Sequence, residues 1–125
     1  MIALRNLTAQ VGTFELRDIS FAIPTGQYGV VIGPAGSGKT TLLEAVAGVS
    51  PVRSGVVMLD EVDATRLPPE RRSIGFVYQH GYLFPHLSVE QNVAYGAASA
   101  DTAREAAARI GVEHLNGRMV RSLSG

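Results

Sequence analysis

Residues Gly33-Pro34-Ala35-Gly36-Ser37-Gly38-Lys39-Thr40 carry the spacing G-x-x-x-x-G-K-[ST], and Lys39 within it is the one lysine of the chain. The remaining members of the 11 Lys and Arg residues are all arginine. A compact ammonium fits between phosphate oxygens where a planar guanidinium is too large, so the exception is chemically pointed. Glycines at 33, 36 and 38 remove the Cβ atoms that would block close approach, and successive N–H groups can then turn inward as an anion nest. Thr40 adds a hydroxyl of the kind that ligates Mg²⁺ beside a triphosphate. The chemistry these residues suit is the binding of a nucleoside triphosphate with Mg²⁺.

Such a loop has to be held between a strand and a helix. Tyr28-Gly29-Val30-Val31-Ile32 is a short apolar, β-branched run that predicts the strand. Lys39 to Ala47 predicts the helix, whose positive N-terminal end would face the phosphates, with Gly48 as its C′ residue and Pro51 just beyond. Strand, glycine loop and helix in that order is the context the motif requires, against the alternative of a glycine-rich turn with an incidental lysine.

At 125 residues and 46% hydrophobic, the chain has the composition of a globular protein and the length of a single domain. Its apolar runs fall short of the roughly 18 residues of a membrane span, and Arg5 and Asn6 interrupt any signal-peptide core at once, so a cytoplasmic protein is expected. Cysteine is absent, which excludes disulfides and thiolate metal sites. The formal net charge is +0, which gives no electrostatic case for nucleic acid as a partner.

Five strands are expected in the first half: 2–8, 14–23, 28–32, 56–59 and 74–78, with turn signals at Gly12, Pro24-Thr25-Gly26 and Ser54-Gly55. After Gln79 the character changes and a new domain or subdomain begins. Ser88-Val89-Glu90-Gln91 reads as a capping box opening a short helix that ends near Gly96. Asp101 reads as the N-cap of a helix over Thr102 to Ile110 that places Ala103, Ala106, Ala107 and Ile110 on one face, and Gly111 ends it.

In order along the chain, the Walker-type loop, Asp18-Ile19-Ser20-Phe21, Leu67-Pro68-Pro69-Glu70-Arg71-Arg72, Gln79, Leu83-Phe84-Pro85-His86-Leu87-Ser88-Val89 and the terminal Leu123-Ser124-Gly125 resemble the N-terminal portion of an ABC transporter ATPase subunit. The resemblance covers all 125 residues, and its wording is closest to bacterial importers of the molybdate/tungstate, sulfate and iron group. It implies an α/β fold of the P-loop NTPase type: an antiparallel β subdomain, a P-loop core strand and helix, and the start of a helical subdomain, the C-terminal half of the core lying outside these residues. Residues 1–79 would form the β subdomain and P-loop part of the core, and residues 80–125 the exit from the Q-loop and the helical subdomain up to the start of the signature motif.

For individual residues the resemblance implies that Gly33, Pro34, Ala35, Gly36, Ser37, Gly38, Lys39, Thr40 and Thr41 hold ATP, with Lys39 and Gln79 in catalytic roles and Thr40 and Gln79 on Mg²⁺. Leu123-Ser124-Gly125 would reach the γ-phosphate bound by a second, head-to-tail copy. An aromatic ring is expected to stack on adenine near residues 11 to 14; Val11 occupies one alignment and Phe14 is the other candidate, with burial in its strand as an alternative role. The remaining partners implied are transmembrane permease subunits, contacted by His80 to Tyr95, on the inner face of the cell membrane. A truncated, non-hydrolysing nucleotide-binding fragment and a soluble ABC ATPase acting on DNA or ribosomes are the alternatives. The catalytic glutamate of the family is expected beyond Gly125, so residues 1–125 alone are expected to bind ATP without turning it over.

Val56-Val57-Met58-Leu59-Asp60-Glu61 has the apolar-then-acidic form of a Walker B strand, which could hold Mg²⁺ and polarise water. Family alignment instead makes it a hairpin arm, with Glu61 in place of the glycine usual after Asp60. His80, His86 and His114 lack the paired spacing of metal ligands. Tyr82, Leu83, Phe84 and Leu87 could form either a partner-binding patch or a small core beneath the helical segment.

Overall fold

The structure is a computed structural model that describes residues 1–123. The chain divides into two compact units, Met1–Phe76 and Val77–Gly125.

The first unit is built on a four-stranded antiparallel sheet in the order β2-β1-β3-β4, with β1 at Ile2–Val11, β2 at Phe14–Ile23, β3 at Val52–Leu59 and β4 at Val62–Asp63. Helix α1, Lys39–Ala47, packs on one face through Leu42, Ala45 and Val46, an i, i+3, i+4 set, against Leu4, Leu7, Ala9 and Val57. The apolar residues of β1 do not keep one parity, and the reason is a bulge, which a second bulge on β2 follows. Between Leu4↔Phe21 and Leu7↔Ile19 β1 carries one extra residue; between Leu7↔Ile19 and Ala9↔Leu16 the extra residue is on β2. Asn6 and Asp18, at φ 47 and 54, occupy these sites, and Asn6 Nδ2 donates to Asp18 Oδ1 at 2.6 Å. Each bulge shifts the two-residue alternation of its own strand by one, so the one on β1 lets Leu7 and Ala9 reach the core face with Leu4, and the one on β2 changes the parity of β2 alone.

Two expected strands are corrected. Tyr28–Ile32 and Ile74–Tyr78 belong to no ladder. Tyr28 and Ile32 are 90% and 89% exposed. Apolar, β-branched composition favours an extended backbone, but a strand exists only where a neighbour completes its hydrogen bonds, and no described strand lies alongside. The reading of 56–59 was too short: β3 begins at Val52, and Asp60-Glu61 is the turn of its hairpin with β4, pairing Leu59 with Val62 and Met58 with Asp63. The hairpin arm is therefore the correct form of this segment.

In the second unit, α2 spans Val89–Ala94 and α3 Ala100–Arg109. The capping box at α2 is complete: Ser88 Oγ accepts from Gln91 N–H at 3.2 Å and Ser88 N–H donates to Gln91 Oε1 at 2.9 Å. Ser99, not Asp101, caps α3. Ser99 has an extended backbone and its Oγ accepts from Thr102 N–H at 3.2 Å, whereas Asp101 already lies in the first turn and pairs with Arg104 at 2.7 Å. Of the expected apolar face of α3, Ala103 and Ala107 are buried, and Ala106 and Ile110 are exposed. Gly111 leaves the helix at φ 72. Among the described residues no helix is long and apolar enough to cross a membrane.

Candidate nucleotide site

Residues 33–38 form an exposed loop that ends on the N-terminus of α1, with Gly38 as N-cap at φ 89. No side chain caps α1 and no acidic residue lies in its first turn, so the N–H groups there are left for an outside acceptor. Lys39 folds back across its own loop, its Nζ donating to Gly33 O at 2.8 Å and Pro34 O at 2.7 Å. It makes no ion pair among the described residues. An ammonium held by neutral carbonyls at the mouth of a helix N-terminus is free to exchange them for stronger, charged acceptors. The Thr40 hydroxyl is exposed at the same mouth and Thr41 is half-buried.

Beside the loop lies an open cleft of about 370 Å³ lined by Val11, Phe14, Gly36, Gly38, Lys39, Thr40 and Thr41. The β1–β2 hairpin supplies one wall and the glycine loop the other. A Cβ on Gly38 would lie 2.6 Å from Phe14 Cε1 and 2.7 Å from Leu16 Cδ2, so only glycine allows the ring to close on the loop. Both candidates for an adenine contact are thus in the wall, and Phe14, 37% exposed, is the aromatic one. A larger groove of about 640 Å³ runs along Val52–Val56, Asp63 and Thr65–Leu67. It carries no phosphate-binding motif.

The other expected site residues belong to the second unit. Gln79 is exposed at a bend in the second unit, and Leu123 follows the final 3₁₀ turn Val120–Ser122. Ser124 and Gly125 fall outside the described residues. Asp60 bonds the N-terminal ammonium of Met1 and Glu61 is exposed, so neither is arranged as a metal ligand. No cluster of three His, Asp or Glu able to hold a metal occurs among the described residues. Phe84 stacks at 4.2 Å on Tyr95, and its backbone is clasped by Asn92, which accepts at 2.8 Å from Phe84 N–H; Tyr82 and Leu83 stay exposed.

Sequence reasoning missed Arg72, which is 7% exposed and donates to four backbone carbonyls. Burial lowers its pKa from the usual guanidinium value. Asp63 is held below the usual carboxylate range, first by the Thr65 hydroxyl and then by Thr65 N–H, with Arg66 adding to it.

Comparisons with known proteins agree with this architecture. The family model described as ABC transporter matches residues 16–125. The molybdate/tungstate import ATP-binding protein WtpC of Pyrococcus horikoshii is 38% identical across all of this chain, and the sulfate/thiosulfate import ATP-binding protein CysA of Synechocystis is 38% identical across 99% of it. The chain spans 39% and 38% of their respective lengths. Among solved structures, a dimeric structure of MJ0796, a bacterial ABC transporter cassette, superposes with a TM-score of 0.82 at 27% identity, covering all of this chain and 64% of that one. A post-hydrolysis dimer of MJ0796 bound to ADP and Pi gives a TM-score of 0.78 at 26% identity, over 99% and 63%. Sheet, helix, loop and sequence agree that the chain belongs to the ABC transporter family and has the fold of part of its ATP-binding cassette.

Proposed function

We propose that the chain is the nucleotide-binding portion of the ATPase subunit of an ABC importer. The observation that carries this is Lys39, the sole lysine, held among the described residues only by the carbonyls of its own glycine loop at the uncapped N-terminus of α1. Gly33 to Thr41 bind the triphosphate: the loop N–H groups and helix terminus take the β- and γ-phosphates and Lys39 neutralises them. Phe14 stacks on the base. For Mg²⁺ the loop itself offers the hydroxyl of Thr40, an exposed residue, and the family resemblance adds Gln79; when bound, the ion would neutralise charge developing on the phosphates.

Relatives named as import ATP-binding proteins and dimeric cassettes support the wider role. In it Gln79 reports nucleotide state, Leu123-Ser124-Gly125 contacts the nucleotide of a second copy, and transmembrane permease subunits are the membrane partners, with no nucleic acid involved. The protein then works peripherally on the cytoplasmic face of the membrane. Residues 1–125 lack a carboxylate placed to orient water in the cleft among the described residues, so binding without turnover is expected; general-base assistance is typically worth about 10²–10⁴-fold. MgATP titration tests the reading. The chain binds, Lys39→Ala loses about 10- to 100-fold in affinity, the worth of a charge-assisted hydrogen bond, and neither hydrolyses ATP at an enzymatic rate. Equal affinity in Lys39→Ala overturns the site; turnover abolished by Glu61→Gln would restore Val56–Glu61 as a Walker B strand.

A further inference from the structure

Helix α1 makes opposite demands at its two ends. Its last carbonyls have no partners within the helix, and no basic residue lies in its last turn. Gly48, at φ 82, turns the chain so that Val49 and Ser50 N–H return to Glu44 O at 2.9 and 3.2 Å and Gly48 N–H to Ala45 O at 3.3 Å. Arg72 completes the set. Its Nη1 donates to Ala45 O at 2.9 Å and Val46 O at 2.8 Å, its Nε to Leu67 O at 2.8 Å and its Nη2 to Thr65 O at 3.2 Å. A Cβ on Gly48 would lie 2.5 Å from Arg72 Nε, so the guanidinium fills the space that a side chain would take.

The far side of this fork is anchored to the sheet. Ala64 N–H donates to Val57 O at 2.8 Å, and Val57 N–H to Thr65 Oγ at 2.9 Å. One planar group therefore joins the C-terminal end of α1 to the segment leaving β4. Arg72 makes no ion pair among the described residues, so its charge is balanced by carbonyls and by the negative end of the helix. Burying a cation is costly, and an apolar side chain could fill the same space without that cost. What the cation adds is direction, because a fork bonded at four points fixes both the rotation and the axial position of a helix. The nine residues of α1 span only about 13 Å, so a shift at one end is a shift at the other.

We propose that Arg72 is a positioning residue for the phosphate site: by locking the C-terminal end of α1 to the Thr65–Leu67 segment, it sets where Lys39 and Thr40 stand at the opposite end. The proposal rests on the nucleotide-site reading above. MgATP affinity is measured for the wild-type chain, Arg72→Met and Arg72→Lys at a temperature where each gives a native far-UV spectrum. Arg72→Met is expected to bind about tenfold more weakly, as misplaced donors lose pre-organisation, and Arg72→Lys, which returns charge to the same carbonyls, regains part of that loss. If Arg72→Met melts at lower temperature yet binds MgATP as tightly as wild type, Arg72 serves the fold alone and the proposal fails while the site stands. If the wild-type chain does not bind MgATP, the site reading falls and this proposal with it. Should Arg72→Met not fold, the wild-type chain decides by NMR: coupling is reciprocal, so the Arg72 Nε–H resonance shifts on MgATP addition, and an unmoved resonance at saturation overturns the proposal.

Discussion

In the proposed nucleotide site, Lys39 meets the charge of the ligand and Phe14 its base. Phe14 lies in the cleft wall against Gly38, so its ring is available to stack at a fixed distance from the phosphate loop. Base–aromatic stacking is worth about 1–3 kcal/mol. Phe14→Ala is accordingly expected to weaken MgATP about tenfold or more while leaving the affinity for inorganic tripolyphosphate unchanged; equal losses for both ligands in a titration would assign Phe14 to packing alone. The proposed phosphate loop was legible because its chemistry needs a fixed spacing of glycine and lysine along the chain. That both Val11 and Phe14 line the cleft was not, since it depends on how the Gly12-Thr13 turn brings strand ends to the loop. Arg72 was illegible for a different reason: its partners are backbone carbonyls, which no residue letter records.

At the scale of elements, the local signals that held were those whose physics is local. α1 begins and ends where the glycines on either side predict, and the capping box of α2 forms as written. The cap of α3 moved to Ser99 because the residue with an extended backbone and a side-chain oxygen at the right distance wins over a later acidic residue. Ser99→Ala is expected to cost about 1 kcal/mol of local stability in α3, read as faster amide exchange, and Asp101→Ala only the few tenths of an exposed ion pair. The reverse ranking would return the cap to Asp101. Bulges at Asn6 and Asp18 were hidden because a change of parity in β1 looks, in sequence, like an irregular apolar run. Tyr28–Ile32 failed as a strand because pairing is not a local property: the segment has the composition but no described neighbour.

For the whole molecule, the sheet, α1 and the glycine loop form one unit in which the proposed phosphate cleft, its aromatic wall and the Arg72 clamp are all present. Gln79 and Leu123 belong to the second unit, and their roles rest on the wider assembly proposed for the family. The fold class was legible from the order of landmarks along the chain, whereas the two units and the strand count emerge only from long-range pairing. The central claim is that the loop around Lys39 binds the phosphates of ATP, and the sole lysine makes it testable by a single mass-spectrometric measurement. An amine-reactive reagent can modify only Lys39 and the N-terminus, and the N-terminus, bonded to Asp60 away from the cleft, serves as internal reference. MgATP is predicted to suppress modification of Lys39 while leaving that of the N-terminus unchanged. Equal modification of Lys39 with and without saturating MgATP, in a chain shown by circular dichroism to be folded, would contradict the account.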